Sequence, residues 1–218
     1  NAVIDQLEKG TMFTLPSTLE AKAAEKIIEC VPCAEMVRFG KNGSDVTSAA
    51  VKLARAYTGR EIIIICGYHG WQDWYIASTE RNAGIPGVMK KLVISLQYND
   101  INQLNDIINS NKNKIAGLIM EPVGAVAPEN SFLEKVRNIT KENEIVLIFD
   151  ELFTGFRWSL GGASEYFNII PDLACFGKAL SNGLPVSCIA GKKEIMKRFE
   201  DVFFSFTYAG ETLSLAAI

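Results

Sequence analysis

The sequence is short of the residues that many sites depend on. It has one histidine, His69. Its closest pair of cysteines, Cys30-Val-Pro-Cys33, has no second pair beside it, so a zinc centre has no ligand set. Neither Gly-x-Gly-x-x-Gly nor Gly-Lys-Ser/Thr occurs, which removes the dinucleotide fingerprint and the P-loop. There is no dense basic block, and 22 bases against 25 acids leave a net charge of -3. A nucleic-acid role therefore has little electrostatic support. The Lys90-Lys91 and Lys192-Lys193 pairs read as solvated surface. No apolar run approaches a membrane span, and no signal-peptide pattern opens the chain. An initiator Met is also missing, and the chain begins in mid-pattern at Asn1, so it reads as a fragment.

Five cysteines are present, an odd number, and Cys66, Cys175 and Cys188 sit inside apolar runs. Buried, reduced thiols and a cytoplasmic protein are expected. Cys30 and Cys33 have redox spacing, but they end a helical pattern instead of opening one, which disfavours a catalytic dithiol.

What the chain does have is a succession of apolar runs of strand length: Met36–Phe39, Glu61–Cys66, Leu92–Leu96, Ala116–Met120, Ile145–Phe149, Leu173–Phe176 and Ser187–Ala190. Most are continuous, as in strands buried on both faces. Helical patterns separate the first five. Ser17-Thr-Leu-Glu20 is a capping box opening a helix to about Val31. Val46, Ala49, Ala50, Leu53, Ala54 and Tyr57 form one stripe of a helix over Ser44–Tyr57 that stops at Gly59. Ile101, Leu104 and Ile108 mark another helix, and Leu133, Val136 and Thr140 a further one. The fold class is α/β, with three layers and a mostly parallel seven-stranded sheet. The connector 178–186 contains Gly183 and Pro185 and falls short of the ~12 residues of a helical crossover. The last strand is therefore expected to run antiparallel to the others.

In open α/β sheets ligands bind beyond the carboxyl ends of the strands. Unusual residues collect there: Asn42-Gly43-Ser44 after the first strand, Tyr68-His69 after the second, Glu121 after the fourth, Asp150 at the end of the fifth and Lys178 after the sixth. Gly43 and Ser44 open a helix whose free N–H groups suit an anion, although a plain cap explains them too. Tyr68 is placed to lie on a flat ring or simply to pack. His69 is either a proton-transfer group or an ordinary hydrogen-bonded histidine. Glu121-Pro122 also reads as a strand-end turn, and Asp150-Glu151 as a structural pair bound to Arg157. An amine and an acid at the ends of buried strands suit pyridoxal phosphate (PLP) chemistry. Lys178 forms a Schiff base with the aldehyde, and Asp150 keeps the pyridine nitrogen protonated.

With these residues assembled, the chain resembles the class III aminotransferases, a fold-type-I PLP family, nearest to the branch of glutamate-1-semialdehyde aminomutase. The resemblance runs from about Ser17 to the end of the chain. It is carried by Arg38-Phe-Gly-Lys-Asn-Gly-Ser-Asp45, Leu53-Ala-Arg-Ala-Tyr-Thr-Gly-Arg60, Gly67-Tyr-His-Gly70, Glu121-Pro-Val123, Ile148-Phe-Asp-Glu-Leu-Phe-Thr-Gly-Phe-Arg157, Pro171-Asp-Leu173, Gly177-Lys178 and Gly183-Leu-Pro185.

The resemblance implies that Lys178 and Asp150 are catalytic and that Asn42, Gly43 and Ser44 hold the phosphate. It implies that Tyr68 and Leu152 flank the ring, and that His69 and Glu121 belong to the cofactor site. Thr207 is implied to reach the phosphate of a partner subunit in a homodimer. Residues 1–218 are then the large PLP-binding domain, without an N-terminal segment and the small C-terminal domain. The reaction implied is transfer of an amino group between an amino donor and a carbonyl acceptor. A 1,2-aminomutase on the same scaffold and a non-catalytic phosphate-binding or PLP-binding protein are the alternatives. Two departures bear on the substrate. Gly124-Ala125 stands where ω-amino-acid transaminases carry Gly-Glu, pointing away from ornithine-type substrates. The segment Glu80–Gly87 is shorter than the aminomutases' gating loop, pointing away from the mutase.

Overall fold

A computed structural model describes all residues, 1–218. Seven strands form one sheet: β1 (Met36–Gly40), β2 (Ile62–Cys66), β3 (Val93–Ser95), β4 (Ile115–Met120), β5 (Val146–Asp150), β6 (Leu173–Phe176) and β7 (Ser187–Gly191). The helices are α1 (Ala2–Lys9), α2 (Thr18–Cys30), α3 (Gly43–Thr58), α4 (Asp73–Ile76), α5 (Ile101–Ser110), α6 (Phe132–Glu142), α7 (Gly162–Tyr166), α8 (Lys193–Met196) and α9 (Thr212–Ala216).

The strand order is β1-β7-β6-β5-β4-β2-β3. Only β7 is reversed, pairing antiparallel with β6 on one side and β1 on the other. The short broken connector 178–186 therefore does what its length requires: it turns back instead of crossing over. Along each strand, alternate side chains go to opposite faces. Ile63, Ile65, Val146, Ile148, Leu173, Cys175 and Ile189 pack under α3, α4 and α8. Ile64, Leu118, Leu147 and Phe149 pack under α5 and α6, and Ala174, Phe176, Cys188 and Ala190 under α2. Both faces are covered, which explains why the strands read as continuous apolar runs.

The helix limits follow from local chemistry. Ser17 caps α2, with Leu19 N–H donating to its Oγ and Ser17 N–H donating to Glu20. Gly59, at φ 68°, ends α3 in the left-handed conformation that glycine adopts without strain. The α3 stripe is buried except at Tyr57, which is more than a third exposed. Lys90 and Lys91 are solvated as expected, whereas Lys192 is half-buried and pairs with Asp172 at 2.6 Å. No helix is long and apolar enough to cross a membrane.

Candidate active site

The site lies where β1, β2, β4, β5 and β6 end and where the reversed β7 begins. At β1, Asp45 draws in the N–H groups of Lys41 (3.3 Å) and Asn42 (2.7 Å), bending the chain into α3. Ser187, the first residue of β7, donates its hydroxyl to the Asn42 carbonyl at 2.8 Å. The N–H groups of Gly43 and Ser44 are in the first turn of α3 and so have no acceptor within the helix. Trp71 N–H donates to Ser44 Oγ at 3.3 Å.

Two glycines of this edge leave no room for a side chain. A Cβ at Gly43 would sit 2.5 Å from Leu152 Cδ1, and one at Gly70 would sit 2.2 Å from Ser44 Oγ. Leu152 thus wedges between the loop that opens α3 and the end of β6, where a Cβ at Gly177 would lie 2.7 Å from its other methyl.

Beyond β2, Tyr68 is 63% exposed while His69 is 1% exposed. His69 Nδ1 lies 2.8 Å from Asp150 Oδ2, and Thr47 of α3 donates to the His69 carbonyl at 2.9 Å. His69 Nε2 is buried without a partner. Asp150 Oδ1 accepts from Leu152 N–H at 3.2 Å. Tyr68 and His69 both meet the ring of Tyr75 edge-on, with centroids 5.6 Å apart in each case. Glu121 Oε2 accepts from Tyr68 N–H at 3.2 Å, so the end of β4 holds the loop after β2.

Asp150 and Cys175 are register partners on adjacent parallel strands. Lys178 lies just past the end of β6, the strand beside the one that ends in Asp150. It is exposed, and its φ of 48° is unusual for a residue with a side chain.

Glu151 departs from expectation. It does not pair with Arg157, whose guanidinium donates to the Phe153 carbonyl at 2.8 Å. Its carboxylate is fully buried and accepts from Thr154 Oγ1 and from the N–H groups of Ala163 (2.8 Å) and Ser164 (2.7 Å). Burial pushes its pKa up against those hydrogen bonds.

Asn42, Gly43, Ser44, Tyr68, His69, Glu121, Asp150 and Leu152 are thus joined by direct contacts, and Lys178 follows the neighbouring strand end of β6. Thr207 stands apart, exposed on the segment 204–211. Thr47, Tyr75 and Ser187 also take part, although sequence alone did not single them out. Ser187 becomes visible only once β7 is reversed, because a parallel strand would have carried its first residue to the other end of the sheet. That other end holds a cavity of about 430 Å³. Most of its charges are taken up in ion pairs, as in Arg137–Asp172 at 3.0 Å and Arg60–Glu144 at 3.2 Å.

The whole chain, residues 1–218, matches the model of the family described as aminotransferase class-III. The glutamate-1-semialdehyde 2,1-aminomutase of Methanosphaera stadtmanae is 42% identical over 228 residues, covering 97% of this chain and 54% of the relative. The 3-aminobutyryl-CoA aminotransferase of Cloacimonas acidaminovorans is 40% identical over 216 residues, covering 95% and 51%. Among solved structures, an omega-transaminase from Sphaerobacter thermophilus superposes with a TM-score of 0.93 at 31% identity, over 99% of this chain and 55% of that one. The FumI protein of Sphingopyxis sp. MTA144, in its PLP internal aldimine form, gives 0.93 at 30% identity, over 99% and 53%. The chain spans about half the length of the curated relatives it matches. In fold and in sequence, this chain belongs to the class III aminotransferase family.

Proposed function

We propose that residues 1–218 form the large, PLP-binding domain of an aminotransferase that moves an amino group from an amino donor to a carbonyl acceptor. The observation that carries this reading is the pairing of a buried acid, Asp150, with an exposed amine, Lys178, at the ends of neighbouring strands. The residues present suit the cofactor. The Asp150 side chain is 3% exposed, and its partners within the chain are one imidazole and one N–H, leaving acceptor capacity for a protonated ring nitrogen. Free N–H groups at the start of α3, with the Ser44 hydroxyl, suit a phosphate. Tyr68 and Leu152 supply the two flanking surfaces.

Bound there, PLP supplies an aldehyde that captures amines and a protonated ring that accepts electrons from the substrate's Cα. Lys178 would hold the cofactor through its amine and would serve as the base that moves a proton between the substrate's Cα and the cofactor's aldehyde carbon. Asp150 would accept a charge-assisted hydrogen bond from the protonated ring nitrogen, worth roughly 1.5–3 kcal/mol. His69 orients that carboxylate from behind, and Glu121 fixes the loop that presents Tyr68. The enzyme is cytoplasmic and works as a homodimer, with Thr207 of each subunit reaching the other's phosphate. Buried thiols support the first statement, and the exposed position of Thr207 away from its own subunit's cluster supports the second.

The second reading is a 1,2-aminomutase, favoured by the aminomutase-named relatives at about 40% identity. A mutase turns over a single amino aldehyde with no second acceptor, whereas a transaminase needs one.

The test is borohydride reduction in the presence of PLP, followed by mass spectrometry of the peptides. A phosphopyridoxyl adduct confined to Lys178 is expected, and Lys178→Ala abolishes both adduct and turnover. An adduct spread over surface lysines, or none on either this chain or the full-length protein, overturns the PLP reading in favour of a non-catalytic protein.

A further inference from the structure

The loop that opens α3 carries a cation, Lys41, whose side chain takes no part in the cluster described above. Its Nζ lies 2.9 Å from Glu211 Oε2, and the two side chains are only 11% and 19% exposed. The pair links the phosphate-type loop to the segment that holds Thr207, far along the chain. Glu211 has a second task. Its carboxylate caps α9, accepting from the N–H groups of Leu213 and Ser214 and from the Ser214 hydroxyl. The next residue, Thr212, is buried and donates to the Gly10 carbonyl at 3.0 Å, so this end of the segment is firmly seated.

The other end is held from the same strand. Arg38 of β1 donates to the Phe204 carbonyl at 3.4 Å, and its guanidinium stacks over Phe199 at 5.3 Å. Two cations from β1 and its exit thus grip the segment 204–211 at its two ends, with Thr207 exposed between them. A nearly buried ion pair with further hydrogen bonds is held more firmly than a surface pair, and losing one partner strands the other's charge.

We propose that Lys41 and Glu211 are positioning residues that lock the Thr207 segment to the phosphate-binding loop, so that each subunit's loop and the arm it offers its partner move as one body. Lys41 then serves the phosphate through geometry and not as its counter-ion, because its charge is already taken. The proposal rests on the reading of Asn42–Ser44 as a phosphate cradle and of Thr207 as an arm that reaches the partner's site.

The experiment is a double-mutant cycle on the full-length protein, reading the dissociation constant for PLP by fluorescence titration. Lys41→Met is expected to weaken PLP binding about tenfold, the equivalent of about 1.4 kcal/mol. Thr207→Ala should weaken it by a similar factor, and the double variant should be no worse than either single one. Lys41→Arg should bind as the wild type does. Glu211→Gln, which keeps an acceptor for the α9 cap, repeats the test if Lys41→Met folds poorly. Additive losses for Lys41→Met and Thr207→Ala would overturn the proposal, because a merely structural lysine acts independently of the threonine. So would tight PLP binding in Thr207→Ala. Failure of the wild type to bind PLP at all sinks the functional reading itself and is distinguishable from both.

Discussion

His69 and Asp150 are bonded at 2.8 Å across an intervening strand, since β4 lies between β2 and β5. The bond fixes the tautomer: with Nδ1–H donating to the carboxylate, a neutral ring leaves Nε2 as the acceptor, and Nε2 has no partner. His69→Leu removes the donor, whereas the amide of His69→Asn falls near the place of Nδ1. The leucine variant should bind PLP about tenfold more weakly, as expected for loss of a hydrogen bond to a charged group. The asparagine variant should recover most of that loss in the same fluorescence titration. Equal defects in the two would mean that ring packing against Tyr75, not the bond, sets affinity.

The contact between Gly43 and Leu152 predicts a steric effect. Gly43→Ala puts a methyl group 2.5 Å from Leu152 Cδ1 and must displace it. Leu152 is only partly buried and can swing aside, so a cost of at most about 1 kcal/mol in unfolding free energy is expected, the low end for overpacking. Gly43→Ala combined with Leu152→Val should regain part of that loss, which denaturant melts of the four proteins can measure. No rescue by the smaller side chain would show that the backbone, not Leu152, is the obstacle.

Glu151 predicts a pH dependence with a definite sign. Burial raises its pKa, so the folded state holds the proton more tightly than the unfolded state does. Stability contributed by this group is therefore present at acid pH. It declines as pH rises from the ordinary carboxylate range through the folded value, and then levels off. The difference in unfolding free energy between wild type and Glu151→Gln, followed by urea melts from about pH 4 to pH 8, should move against the wild type as pH rises. A flat difference would show that the hydrogen bonds from Thr154, Ala163 and Ser164 cancel the effect of burial.

The thiols predict a labelling pattern. Burial pushes Cys33 and Cys66 up to about 12, and pushes Cys175 and Cys188 well above their ordinary value. Cys30 alone of the five is partly accessible. A thiolate-selective reagent at neutral pH should label Cys30 first and the other four only on unfolding. Fast labelling of Cys33 would revive a redox role for the pair.

Much of the fold was legible because parallel strands buried on both faces write themselves as unbroken apolar runs. All seven were visible, with ends displaced by a residue or so, as at Ile62 and Asp150. The reversed last strand was legible from Gly183, Pro185 and the shortness of its connector. Short pieces such as α4, α8 and α9 were not, because so few residues carry no measurable period. The cluster at the strand ends was readable as an inventory, but its wiring was not. That Glu151 turns away from Arg157 to cap α7, or that Thr47 holds the carbonyl of His69, depends on loops that no periodicity describes.

The reversal of β7 also has a mechanical side. A parallel strand would have required a helix to leave Lys178 and cross one face of the sheet, and any change in the intervening length would have shifted that helix against its neighbours. Here the chain between Lys178 and Ser187 stays on one rim, bounded by β6 and by the hydroxyl that holds Asn42. Leu180 and Val186 of this connector are buried in the cluster under α2, so its length is tied to the layer beneath. A change of length between Lys178 and Ser187 would therefore pull on the core itself, so the reversal ties the place of the exposed amine to the packing under α2.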